Sequence, residues 1–254
     1  MAFMQLHFYS NALGMQTEVE VILPQKDTVG EIGVESLSGA SSYKCLYLLH
    51  GLSDDQTIWM RRTSIERYAA RYGICVIMPF GGRSFYLNQK NGEKYYDYIA
   101  KELPARMHEF LGCSMKREDR FIAGLSMGGY GALKVALKEC GKYCAAAGLS
   151  SVADIKTEMF KEHIENVIGA ENYLSKEEDL FELIKEKEHE ENKPRLYMWC
   201  GTEDFLYQDN VKLKNYIQQF DYNYTYCESS GVHAWEYWDK QIQNVLEWMF
   251  AVKE

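Results

Sequence analysis

The run Arg120-Phe121-Ile122-Ala123-Gly124-Leu125-Ser126-Met127-Gly128-Gly129 decides the reading of this 254-residue chain. An apolar strand, Arg120–Ala123, leads directly into G-x-S-x-G, and a helical period over Gly128–Glu139 follows directly. A serine placed so sits on a tight strand-to-helix turn at the C-terminal edge of a sheet, with its hydroxyl exposed. Glycine is needed on both sides because the turn is strained and a Cβ would strike the neighbouring strand or helix. The helix N-terminus behind the turn favours developing negative charge. Ser126 is therefore the candidate nucleophile.

An activated serine needs a base, and the base needs an acid to orient it. In folds of this kind the chain order is Ser, then Asp or Glu, then His. His7, His50 and His108 precede the serine, and His163 and His189 lie in a charged helical segment. His233 remains, in the loop Ser229-Ser230-Gly231-Val232-His233 between the last strand and the last helix. The acid should follow a strand at the same edge, which points to Gly201-Thr202-Glu203-Asp204 after Arg195–Cys200. Asp204 is the choice, with Glu203 and Asp209 behind it; Asp209 reads better as the cap of the following helix. Acyl transfer also needs donors for an oxyanion. The backbone N–H of Met127 is one, and Leu52, in the loop Leu49-His50-Gly51-Leu52 after the third strand, is expected to supply the other. His50 reads as a brace for that loop rather than as a base.

Working outward, short apolar runs alternate with helical periods. Strands are expected at Gln5–Ser10, Glu18–Leu23, Cys45–Leu49, Cys75–Met78, Arg120–Ala123, Ala146–Leu149, Arg195–Cys200 and Tyr222–Cys227. Helices are expected near Ser64–Arg71, Asp97–Leu111, Gly128–Glu139, Asp209–Phe220 and Ala234–Ala251. The first two strands alternate, as an antiparallel edge does, while the later ones are continuous apolar runs buried on both faces. The expected fold class is α/β: one domain over 1–254, with a mostly parallel eight-stranded sheet and helices on both faces. Residues 155–193 carry twelve acids and six bases and keep helical spacing. They read as two amphipathic surface helices, the second opened by a Ser175/Glu178 capping box, and as a small cap-like insertion. His189 among glutamates lacks a second histidine at ligand spacing, so no metal is expected.

Lys and Arg total 28 against 37 Asp and Glu, a net charge of −9 without a basic stripe, which disfavours nucleic acid. Apolar stretches fall short of the roughly 18 residues of a membrane span. The seven cysteines are odd in number, lack CxxC and mostly sit in apolar runs, so they read as reduced core thiols. The N-terminus alternates like a strand and has no basic region before an apolar block, so a cytoplasmic location is expected. The expected partner is a small-molecule ester, and the sequence leaves a homo-oligomer open.

With these positions in place the chain resembles the esterase D-like branch of the α/β-hydrolases, and within it the bacterial tributyrin esterases. The resemblance rests on Leu48-Leu49-His50-Gly51, Trp59 with Arg61-Arg62-Thr63, Arg83-Ser84-Phe85-Tyr86, Glu102-Leu103-Pro104, the stretch Phe121 to Gly131, Cys200-Gly201, Asp204-Phe205-Leu206-Tyr207 and His233-Ala234-Trp235-Glu236-Tyr237-Trp238. It implies a Ser126–His233–Asp204 triad, an oxyanion hole from Leu52 and Met127, and hydrolysis of short acyl esters, including acetyl or feruloyl esters of plant material, with no cofactor. Trp59, Phe85, Tyr86 and Trp235 lie near these loops and are candidates for the acyl or alcohol pocket. S-formylglutathione hydrolases share the branch, but usually carry a cysteine shortly after the oxyanion glycine and a Tyr-Asp-His-Ser-Tyr-Tyr-like histidine loop. Here Gly51-Leu52-Ser53-Asp54-Asp55 and Gly231-Val232-His233-Ala234-Trp235 depart from both features. A hydrolase-fold binding protein without catalysis would be expected to have lost the serine or the histidine, and both are present.

Overall fold

The computed structural model describes residues 1–25, 42–170 and 174–250. Eight strands form one sheet in the order β1-β2-β4-β3-β5-β6-β7-β8. They are β1 (Ala2–Ser10), β2 (Met15–Leu23), β3 (Cys45–Leu49), β4 (Cys75–Pro79), β5 (Arg120–Leu125), β6 (Ala145–Leu149), β7 (Arg195–Gly201) and β8 (Tyr224–Ser229). β1 pairs antiparallel with β2 and β2 with β4, and the remaining pairings are parallel. The sheet is thus mixed at one side and parallel elsewhere, as the alternating first strands and continuous later ones imply.

Period-2 alternation divides the core between the two faces. Cys45, Tyr47 and Leu49 join one apolar cluster, while Leu46 and Leu48 join the other. The first cluster is covered by α4 (Leu103–Leu111), α5 (Met127–Lys138), α7 (Leu180–Glu186) and α8 (Tyr207–Ile217). The second is covered by α1 (Ile58–Arg62), α2 (Ile65–Ala70) and α9 (Trp235–Phe250). Between them in the chain lie the single turn α3 (Tyr95–Asp97) and α6 (Lys161–Ile168).

Three local readings change. The helix expected over Asp97–Leu111 is preceded by α3 and passes through a π turn at Tyr98–Glu102 before α4 begins, with Pro104 in its first turn. Proline has no N–H for the helical ladder and tolerates only such a start. The Ser175/Glu178 capping box does not form. Ser175 precedes a 3₁₀ turn with no side-chain cap, and α7 is capped by Asp179, which accepts from the N–H groups of Phe181 and Glu182. Glu178 turns instead to Lys134 and Lys138, because charge-assisted bonds outweigh a neutral cap. Asp209 lies inside the first turn of α8 rather than at its cap, where Leu206 stands. α1 was not anticipated.

Parallel register aligns the strand ends that matter. Leu49 pairs with Gly124, Leu125 with Leu149, Leu149 with Trp199, and Gly201 with Ser229. Residues 50–52, 126, 150, 204 and 233 therefore gather along one edge of the sheet.

Candidate active site

At the end of β5 the chain turns through Ser126 with φ 53° and ψ −119° and enters α5 at Met127. A non-glycine residue in that region costs roughly 1–3 kcal/mol and persists only where its surroundings enforce it. The enforcement is visible: Ser126 N–H donates to Leu149 O at 2.9 Å, and Ser126 O accepts from Tyr130 at 3.1 Å and Val152 at 3.2 Å. The glycines allow the close approach. A Cβ on Gly124 would strike the Gly128 backbone, and one on Gly128 would lie 2.5 Å from Leu49 O and 2.6 Å from His50 O.

Leu52 follows a loop pinned from below. Gly81 N–H donates to His50 Nε2 at 2.8 Å, so the ring's proton sits on Nδ1, which donates to Gly51 O at 2.7 Å. Burial pushes the His50 pKa down, which fits this neutral tautomer. His50 is thus the brace that the sequence suggested. Tyr86 OH donates to His50 O at 2.9 Å and Trp59 Nε1 to Leu49 O at 3.1 Å. The loop passes close to Ser126, since a Cβ on Gly51 would lie 3.8 Å from Ser126 Cβ. Met127 begins α5, and its N–H belongs to the first turn, where no intrahelical acceptor exists.

Trp59, Phe85 and Tyr86, the expected pocket candidates, are buried, none exposing more than 1% of its surface. Tyr86 is wedged against Gly81 and Gly131, and Phe85 packs on Tyr130 and Phe160. Both have positive φ, 51° and 52°, which turns their rings inward. Through its hydroxyl, Tyr86 also holds the His50–Leu52 loop. Trp235 is half-buried, edge-on to Trp59 at 5.1 Å and to Trp238 at 5.3 Å.

The structure joins Asp204 to His233. His233 Nδ1 lies 2.9 Å from Asp204 Oδ2 and 3.1 Å from Oδ1, and the carboxylate also accepts from Leu206 N–H at 2.9 Å. Burial by itself would raise the Asp204 pKa, but the bonds from His233 and Leu206 outweigh it and hold the carboxyl below its ordinary value. The ring is flanked by Phe205 at 4.5 Å and Trp238 at 4.8 Å, with Nε2 free of the aspartate. Among the described residues no hydrogen bond reaches Ser126 Oγ. Glu203 does not touch the histidine. Its carboxylate accepts from Gly231 N–H at 2.6 Å and Ser230 OH at 3.3 Å, fastening the loop that carries His233.

Two residues escaped the sequence reading. Ser150, also at positive φ (45°), follows β6 beside Ser126, accepts from Trp238 Nε1 at 3.1 Å and helps hold the Asp204 pKa down. Its signal was the Leu-Ser after an apolar strand, which repeats the Leu-Ser of the elbow. Lys134 on α5 is fully buried and donates to Tyr86 O at 2.9 Å and Glu178 Oε2 at 2.7 Å. Burial lowers its pKa to about 8. A lysine in an alanine-rich helical run gives no sign of burial in the sequence.

A mostly parallel sheet, a glycine-framed serine elbow and an aspartate-bound histidine at one sheet edge define the α/β-hydrolase class. The family model described as "Putative esterase" matches residues 10–249, and the chain belongs to this esterase family. It is similar over its full length to an acetyl esterase of Caldicellulosiruptor saccharolyticus, at 33% identity and 100% coverage of both chains. Among solved structures it is similar to the fluorophosphonate-binding serine hydrolase FphF of Staphylococcus aureus (36% identity, TM-score 0.88, 99% of each chain). It is equally similar in sequence to an S-formylglutathione hydrolase of the same organism (36% identity, TM-score 0.84, 98% of each chain). The chain is a serine esterase of the carboxylesterase type. Among the described residues no helix is long and apolar enough to cross a membrane.

Proposed function

We propose that this chain hydrolyses short acyl esters through an acyl-enzyme on Ser126. His233 Nε2 takes the hydroxyl proton as Oγ attacks the ester carbonyl, and returns it to the leaving alcohol. Asp204 fixes the ring's tautomer and offsets its transient positive charge. The N–H groups of Leu52 and Met127 receive the oxyanion, and water then repeats the sequence to release the acid. The observation that carries this reading is the Asp204–His233 contact on the same sheet edge as a serine held in a strained turn. Trp235, half-buried two residues after His233, is the candidate substrate contact. Residues 155–193 serve as a small cap, and the whole chain acts as one domain. Seven free thiols among the described residues suit a reducing cytoplasm.

The named activity of the full-length relative makes acetyl esters the first substrates to try. Each methylene that is buried gains about 0.8 kcal/mol, and only while the pocket has room for it. kcat/KM is expected to peak at acetyl to butyryl and to fall by octanoyl, with no jump at the ester's solubility limit. A panel of p-nitrophenyl esters of two to twelve carbons measures this, and a maximum at ten or twelve carbons overturns it. The likeness to an S-formylglutathione hydrolase favours a second reading, in which the same triad cleaves a thioester. Acetylated xylan, methyl ferulate and S-formylglutathione belong in the same panel. Labelling by a fluorophosphonate, lost in Ser126→Ala, separates a catalyst from a binding protein.

A further inference from the structure

Three cysteines lie together where the esterase chemistry has no use for them. Cys45 begins β3 and Cys75 begins β4, and the two are register partners. Cys113 follows the left-handed Gly112 that ends α4, and its backbone bridges to Tyr43 just before β3. Their Sγ atoms all lie within 4.8 Å of one another, with Cys75 and Cys113 at 3.8 Å. Each is wholly buried. Because the strands are parallel, this N-terminal end of β3 and β4 is opposite the edge that carries Ser126.

The spacing matches a metal triangle. Three sulfurs at bonds of about 2.3 Å around one ion stand roughly 4.0 Å apart. Among the described residues no histidine or carboxylate joins the cluster. The nearest histidine, His108, has its Nδ1 engaged with Cys113 O at 2.8 Å. A protein site for zinc almost always completes four ligands, whereas thiolates without a fourth donor suit a soft monovalent ion such as Cu(I).

A buried positive charge lies on the same face of the sheet. Arg120 is the register partner of Cys45 across β3 and β5, so its side chain leaves the sheet on the same face. It is 4% exposed, its Nε has no hydrogen-bond partner, and it pairs with no carboxylate among the described residues; its guanidinium rests over the Tyr143 ring at 5.2 Å. A buried cation without a counter-ion is costly. Sulfurs bound as thiolates would supply the missing negative charge.

We propose that Cys45, Cys75 and Cys113 form a buried three-sulfur site for Cu(I), with Arg120 offsetting part of the thiolate charge. Binding forms three Cu–S bonds and breaks the S–H bonds, whose protons pass to solvent; copper enters and remains as Cu(I), so no electron moves. A bound ion would tie β3, β4 and the connection after α4 together, without touching the esterase edge.

The test is anaerobic titration of the reduced full chain with Cu(I) against the chromophoric chelator bicinchoninate, followed by X-ray absorption at the copper edge. One Cu(I) per chain should be withheld from the chelator, with three sulfurs near 2.3 Å, a raised Tm and unchanged ester turnover. Cys75→Ser and Cys113→Ser should each weaken retention at least about tenfold, while Cys140→Ser and Cys144→Ser should leave it intact. Surrender of all copper by the wild type overturns the site. So does equal retention by Cys113→Ser, or a copper shell with fewer than three sulfurs. Tighter retention of Zn(II) than of Cu(I) overturns the choice of ion. If the cysteine variants do not fold, the wild-type chelator competition and absorption spectrum decide the matter alone.

Discussion

Asp204 holds His233 at 2.9 Å on the sheet edge, while Glu178 holds Lys134 at 2.7 Å beneath the elbow helix. Both are acid–base pairs, and both keep a carboxylate below its ordinary pKa against the opposing effect of burial. They differ in what is left over. His233 uses one ring nitrogen on Asp204 and keeps the other, on a side chain still 18% exposed. Lys134 has no exposed surface, and its ammonium is consumed by Glu178, the Tyr86 carbonyl and the faces of Tyr96 and Tyr130. A charged pair does chemistry when one partner keeps an unspent, reachable lone pair. When every donor is spent it becomes a fastening, here one that ties α5 to the segment 155–193 and to the Tyr86 turn.

The sharpest way to break this contrast is at Ser126, the proposed nucleophile. Ser126→Ala should lower turnover by about 10⁴ or more with the fold intact. A folded mutant at a tenth of wild-type rate on p-nitrophenyl butyrate would sink the assignment. Next in size, Asp204→Asn should cost about 10³–10⁴ in kcat, because the ring loses its tautomer and its counter-charge. Glu203→Gln, which loosens only the loop, should cost less than about tenfold. A reversed order would move the acid by one residue.

The fastening should answer in stability rather than in rate. Glu178→Ala leaves the Lys134 ammonium buried with half its partners, and breaking such a pair costs about 3 kcal/mol. The expected fall in Tm is about 6–10 °C for a chain of this size. Circular dichroism melts alongside kcat decide it: a large loss of kcat at unchanged Tm would make the pair catalytic and erase the contrast.

The smallest effect is a pH dependence with a definite sign. Lys134 titrates at about 8 in the folded protein, below the ordinary lysine value of 10.5. Between those values the unfolded chain binds more protons, so this group makes stability rise with pH. Buried tyrosines act the other way near pH 10, because burial raises their pKa and stability falls once the unfolded phenols ionise. Comparison with Lys134→Met removes that background. The wild type should gain Tm relative to the mutant from pH 8 to 10, and a flat difference would contradict the burial of the ammonium.

The aspartate and histidine were legible because α/β chains of this kind carry them in a set order after the serine, each on a loop following a strand. Trp59, Phe85 and Tyr86 are expected from the sequence at the pocket, and the structure buries all three. Proximity in sequence to a loop does not say which side of it a ring occupies; Phe85 and Tyr86, two positive-φ residues in succession, and Trp59 on α1 all lie in the core. Ser175 and Glu178 were misread for the opposite reason. Their local capping pattern was real, but Lys134 lies forty-four residues from Glu178 along the chain and outcompeted it.

Sequence alone determined the alternation of eight strands with helices, the glycine-framed turn and the identity of its serine, because local periodicity and steric need at a tight turn are properties of short segments. Tertiary structure alone decided which aromatic rings pack beneath the His50–Leu52 loop, that Lys134 is buried and paired, that Ser150 stands beside Ser126, and that Cys45, Cys75 and Cys113 meet. Each of these depends on strand register and helix docking, which bring together residues tens of positions apart, and no local pattern in the chain records that distance.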